Sequence, residues 1–151
     1  MPTASTDRIE RKILLRAPRS RVWRALTDSR QFGAWFGVTS TSTFAPGARI
    51  REQVKIKGYE HLMWDVVIEE MIPERRFSWR WHPGSEPAVP NEPTTLVVFE
   101  LEDAPDGTLV TVVETGFDGL PASRYDKAFR ENTDGWRDQM EALERHVTSR
   151  P

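Results

Sequence analysis

Acidic and imidazole side chains are the groups in this sequence that could bind a polar ligand or move a proton. Glu52 lies in a segment where Ile50, Val54 and Ile56 occupy the same side of an alternating pattern, so its carboxyl would face an apolar interior. Because an unpaired buried carboxylate is costly, Glu52 should have a raised pKa, pair with an arginine or point into a wet cavity. Glu52 is therefore a candidate ligand contact.

An amide and an aromatic ring share one face of the last helical segment. Asn132 interrupts an otherwise apolar stripe, and a buried amide needs hydrogen-bond partners, so it should bind either a ligand or the sheet backbone. Trp136 and Met140 follow on the same stripe. A ring and a flexible thioether suit an adaptable pocket as well as a packed core.

Residues 77–82 alternate aromatic and polar side chains. In a regular strand Trp79 and Trp81 point to one face, while Arg80 and His82 point to the other, and we expect the tryptophans to be inside. Other aromatic residues complete the predicted binding site. The predicted ligand contacts are Glu52, Trp64, Trp79, Trp81, Phe99, Phe129, Asn132, Trp136 and Met140.

Several kinds of chemistry have no support in the sequence. The absence of cysteine excludes disulfides and thiolate sites, and His61, His82 and His146 are too far apart to suggest a metal. No nucleophile, phosphate-binding or dinucleotide-binding motif occurs, so we assign no catalytic residue, metal or cofactor. The net charge of −2 argues against nucleic-acid binding. Without an apolar run of about 18 residues, we expect no membrane insertion and a cytoplasmic location.

The elements that would position these residues form an α+β pattern. The 151 residues suit one domain, 1–151, with a core of about 8–148. Two short helices should follow Pro18 and Asp28 and end at Gly37, and a long amphipathic helix should begin at Pro121. Strands are predicted at 9–15, 38–44, 50–56, 62–68, 77–82, 94–102 and 108–115.

Three local features qualify this outline. Residues 83–93 contain four prolines and should form a long loop that could act as a lid. Gly135 lies inside the last helix at a cost of about 1 kcal/mol, which suggests close packing or a bend. Glu114 is expected to fix the turn before that helix.

Several segments together resemble a known family. They are residues 22–27 (VWRALT), 35–36 (WF), 73–83 (PERRFSWRWHP), 114–117 (ETGF) and 135–136 (GW). With the order of elements, they resemble the START-like (SRPBCC) superfamily and its heat-shock-protein-90 ATPase activator branch. The resemblance implies a helix-grip fold, in which a curved antiparallel sheet of about seven strands and the last helix enclose a cavity for apolar small molecules.

The leading expectation is binding of a small apolar or aromatic ligand without catalysis. One alternative is an enzyme resembling a polyketide cyclase, dehydratase or hydrolase, with Glu52 or His61 as acid or base. The other is a chaperone-associated protein with an ATPase activator-like role. A small apolar or aromatic molecule and possibly a chaperone protein are the expected partners, and the chain is expected to be a monomer or a homodimer.

Overall fold

The chain forms one antiparallel sheet, two short helices and a long C-terminal helix in the computed structural model, which describes residues 8–39, 41–82 and 93–148. The sheet is curved and unclosed, with the strand order β1-β6-β5-β4-β3-β2. The elements are β1 (Arg8–Leu15), α1 (Arg19–Thr27), α2 (Ser29–Phe36), β2 (Arg49–Gln53), β3 (Met63–Ile72), β4 (Arg76–Trp81), β5 (Thr95–Ala104), β6 (Gly107–Thr115), a 3₁₀ turn (Phe117–Gly119) and α3 (Ala122–Thr148).

The predicted starts and stops of the helices are confirmed. The Asp28 carboxylate accepts hydrogen bonds from the backbone N–H groups of Arg30 and Gln31 at the start of α2. Gly37 ends α2 with a φ of 90°, a left-handed conformation that glycine adopts without strain. Proline 18 precedes α1, where its missing N–H group is not needed.

The predicted hairpin at residues 104–107 joins β5 and β6 by a two-residue turn, since Ala104 pairs with Gly107. β6 then alternates strictly, and its inward residues Thr108, Val110 and Val112 are buried. Glu114 is the next residue in that inward series, so the strand carries a carboxyl into the interior.

The α+β helix-grip prediction is confirmed, but the described residues contain six strands rather than about seven. The predicted strand at 38–44 is reduced to a single bridge between Val38 and Val54. The reason lies in Glu52, whose carboxylate accepts the backbone N–H groups of Thr41 and Ser42. Those N–H groups are therefore not available to a strand ladder. β2 is also shorter than predicted, ending at Gln53, and Ile56 is exposed.

Aromatic side chains fill most of the space between the sheet and the helices. Trp79 is fully buried at the centre and lies within 6.2 Å, between ring centroids, of Trp64, Phe99 and Trp136. Phe32 packs against this group from α2, with its ring centroid 5.8 Å from that of Trp79. The core of the described residues is therefore a continuous aromatic cluster.

The predicted loop at 83–93 lies, apart from Pro93, outside the described residues. Within the described ranges, no helix is long and apolar enough to cross a membrane.

Candidate functional site

Glu114 lies near the C-terminal end of β6, and its carboxyl is fully buried. The register pairs it with Ile9 of β1 on one side and Val97 of β5 on the other, so it lies inside the sheet rather than at an edge. α3 crosses above it. A charged group in such a position needs hydrogen-bond partners from both the sheet and the helix.

Four uncharged side chains donate hydrogen bonds to this carboxyl. The indole N–H of Trp81 and the hydroxyl of Thr95 reach Oε2 at 2.8 and 2.6 Å. The indole N–H of Trp136 reaches Oε1 at 2.8 Å. The amide nitrogen of Asn132 lies 2.9 Å from Oε1 and 3.1 Å from Oε2. The carboxyl thus joins β4, β5, β6 and α3 through hydrogen bonds, and none of these four donors is a cation.

Burial raises the pKa of Glu114 above the ordinary glutamate value, although the hydrogen bonds from Thr95, Trp136, Trp81 and Asn132 oppose the rise. Titratable groups with a perturbed pKa beside a concave surface are more common at binding and catalytic sites than elsewhere. Glu114 therefore marks this end of the interior as a candidate site.

A cavity of about 120 Å³ opens next to this network. Trp81, Asn132, Gly135, Trp136 and Gln139 line it, so one wall is β4 and the other is α3. An engineered apolar cavity of about 150 Å³ holds benzene, which indicates the size of group that could enter. The cavity is thus suited to one ring or head group rather than to a whole lipid.

Gly135 lies at the α3 wall of this space. A Cβ atom built on Gly135 meets no heavy atom within 4 Å, so the glycine is not required by close packing. Glycine in a helix interior costs about 1 kcal/mol relative to alanine. Of the two suggestions made from sequence, close packing is wrong. What the glycine does provide is open space at the cavity wall.

A larger groove of about 360 Å³ lies on the other face of the sheet, and it is a weaker candidate. Its wall includes Arg76, which forms exposed ion pairs with Glu70 and Glu100 at 3.3 and 3.5 Å. Such exposed pairs contribute little, and the Nε atom of Arg76 is buried without a hydrogen-bond partner among the described residues. The smaller cavity is preferred because a buried carboxyl adjoins it.

The structure brings three of the nine predicted ligand contacts to the cavity wall: Trp81, Asn132 and Trp136. Trp79 and Phe99 pack directly behind Trp136, at 6.2 and 5.6 Å between ring centroids. The inward direction predicted for Trp79 and Trp81 is confirmed: Trp79 is fully buried and Trp81 is half-buried.

The other four predicted contacts do not line this cavity. Trp64 lies one ring further away, with its centroid 5.3 Å from that of Trp79. Met140 is buried in the core, and Phe129 stacks against Tyr125 at 5.8 Å between centroids. Glu52 is the fourth.

Glu52 is buried against the segment that follows α2. The hydroxyls of Thr39, Thr41 and Ser42 donate to its carboxylate at 2.6, 3.2 and 2.5 Å. Burial alone would raise the pKa of Glu52, but these hydrogen bonds outweigh it and lower the pKa below its ordinary value. The carboxylate is thus satisfied by local donors, with neither an arginine nor a raised pKa. His61, its proposed alternative as acid or base, is exposed.

Three residues of this site were not among the predicted contacts: Glu114, Gly135 and Gln139. The signal for Glu114 was present, because Thr108, Val110 and Val112 place it on the buried face by simple alternation. Gln139 lies seven residues after Asn132 on the same helical face, which the period of the helix also indicates.

The sheet has six antiparallel strands and packs against a long C-terminal helix, with a small cavity between them. This is the architecture of START-like domains. The family model described as "Activator of Hsp90 ATPase homolog 1-like protein" matches residues 16–148. The chain belongs to this family, and the resemblance seen in the sequence is confirmed. A comparison with curated proteins found no match.

Solved structures share the fold at low sequence identity. Protein NE0264 from Nitrosomonas europaea has a TM-score of 0.76 and 21% identity, covering 96% of each chain. Protein MLL2253 from Mesorhizobium loti has a TM-score of 0.74 and 20% identity, covering 95% of this chain and 99% of that one. DynU16, a putative protein in the dynemicin biosynthetic locus, has a TM-score of 0.73 and 24% identity, covering 95% of this chain and 48% of that one.

Proposed function

We propose that this domain binds a small apolar or aromatic molecule, one group of which enters the cavity between β4 and α3. The observation that carries the proposal is the buried Glu114, whose carboxyl holds Trp81, Asn132 and Trp136 in place around that cavity. A few fixed polar groups among aromatic walls are typical of small-molecule sites. The glycine at position 135, which keeps the cavity open, is further support.

Binding is favoured over catalysis because the cavity wall offers no reactive group. The five lining residues in the described part of the chain include no nucleophile, no cation and no imidazole. Glu114 has a raised pKa but is fully buried behind its four donors. A general acid or base must come within hydrogen-bonding distance of the substrate.

Native mass spectrometry of freshly purified protein tests this function. We expect an additional mass of a small molecule on the folded chain that is absent from the denatured chain. Gly135→Leu should lose this mass, because its side chain extends into the cavity. Glu141→Leu is the matched control, since it introduces the same side chain at an exposed position of α3. Loss of the mass in both variants, or in neither, would remove the assignment to this cavity.

The family description supports a second candidate function, an effect on a chaperone ATPase. The exposed apolar side chains of Ile56, Tyr59 and Met63, near the end of edge strand β2, offer a contact surface for a protein. Added protein should then change the ATPase rate of an Hsp90-type chaperone, and Tyr59→Ser should weaken that effect. An unchanged rate at saturating protein would dispose of this candidate.

A further inference from the structure

The two indole groups at the cavity have no hydrogen-bond donor left for a ligand. The Nε1–H of Trp81 and that of Trp136 each donate to Glu114 at 2.8 Å. An indole has only this one polar atom, so what the two residues present to the cavity is ring surface. Their ring centroids are 6.0 Å apart, and the rings are inclined at 35°.

Each of the two amide groups at the cavity uses its nitrogen in a hydrogen bond within the protein. The amide nitrogen of Asn132 donates to Glu114 at 2.9 Å, and that of Gln139 donates to the backbone oxygen of Phe36 at 3.0 Å. If the amide of Gln139 were reversed, its oxygen would face the backbone oxygen of Phe36. If the amide of Asn132 were reversed, its oxygen would face an oxygen of an ionised Glu114. Among the described lining residues, the carbonyl oxygens of Asn132 and Gln139 and the second N–H of the Gln139 amide therefore remain for a ligand.

The cavity thus offers acceptors and aromatic surface, with a buried acidic group behind them. We propose that it selects a protonated amine carried on an apolar or aromatic body, an inference that rests on the binding function proposed above. Carbonyl oxygens accept the N–H groups of an ammonium, and indole rings attract a cation at their faces. None of the four hydrogen-bond donors to Glu114 is charged, so a cation bound in the cavity would favour the ionised form of this carboxyl.

Other head groups fit these walls less well. A ligand carboxylate would meet two carbonyl oxygens and the buried acid, with one amide N–H of Gln139 as its donor among the five described lining residues. A neutral hydroxyl can donate one hydrogen bond, but it gains nothing from the ring faces or from Glu114. The expected order of affinity is therefore ammonium, then alcohol, then carboxylate.

Calorimetric titration with three compounds that share one ring tests this order: benzylammonium, benzyl alcohol and benzoate. Benzylammonium should bind at least about tenfold more tightly than benzyl alcohol, and benzoate should bind more weakly than either. Gln139→Met removes one acceptor at similar side-chain length and should reduce the preference for the amine over the alcohol. Arg137→Met, at an exposed position of the same helix, should preserve it. Circular dichroism establishes that both variants are folded.

The possible outcomes distinguish failure of the amine preference from failure of the proposed binding function. If benzyl alcohol or benzoate binds as tightly as benzylammonium, the amine preference is overturned while ligand binding stands. The same holds if the molecule that co-purifies with the protein has no basic nitrogen. If no compound binds and no molecule co-purifies, the binding function fails and the inference fails with it.

Discussion

Replacing Gly135 tests whether this glycine leaves space at the cavity or permits close packing of α3. Its Cβ position is empty to 4 Å, so Gly135→Ala adds no clash and gains helix propensity. We expect the free energy of unfolding to rise by about 0.8 kcal/mol. For a chain of this length, that corresponds to an increase of about 2–3 °C in the melting temperature. Urea denaturation, followed by tryptophan emission, measures the change.

Gly135→Leu extends the same experiment to binding. Its longer side chain occupies the cavity, so the dissociation constant of a ligand that uses the cavity should rise at least about tenfold, while stability does not fall. Glu141→Leu should leave binding unchanged. A loss of stability in Gly135→Ala would show that the position is tightly packed, and normal binding by Gly135→Leu would show that the ligand lies elsewhere. Either result would exclude this role of Gly135.

Three further predictions concern stability. Gly107→Ala should cost about 2–4 kcal/mol in urea denaturation, because its Cβ would lie 2.0 Å from the backbone oxygen of Leu15. Asp28→Ala should cost about 1 kcal/mol by removing the cap of α2; no loss would contradict that role. The pKa of Glu114 is raised, so its contribution to stability is complete below the ordinary value of 4.5 and declines as the pH rises. The pKa of Glu52 is lowered, so its contribution is present above 4.5 and declines as the pH falls. The stability differences between wild type and the Glu114→Gln and Glu52→Gln variants should therefore change with pH in opposite directions.

The fold was largely predictable because its signals are local. Caps such as Asp28 and Gly37 and the turn at residues 104–107 depend on a few neighbouring residues. The segment 38–44 has the composition of a strand, yet it forms only one bridge. Its backbone donors are used by the side chain of Glu52, ten residues away in the chain, and composition does not encode such a competition.

The candidate site was less predictable because it depends on contacts between distant segments. The helical period of α3 predicted Asn132 and Trp136 as ligand contacts, and the alternation of β4 predicted Trp81. The role of Glu114 became visible only when residues from three other elements converged on it. A single buried acid in a strand pattern can be satisfied locally, as Glu52 is, or by a tertiary network, and the sequence pattern is the same in both cases.

Nuclear magnetic resonance of the indole N–H groups tests the central claim, that the cavity beside Glu114 is a ligand site. In a titration with the tightest-binding benzyl compound, the signals of Trp81 and Trp136 should shift together and saturate. The signal of Trp35 serves as the internal reference, because its N–H donates to the backbone oxygen of Ala25 at 2.7 Å and the residue does not line the cavity. Saturable shifts of the first two, with Trp35 unchanged, are the predicted result. Unshifted Trp81 and Trp136 signals in the presence of a bound compound would contradict the account.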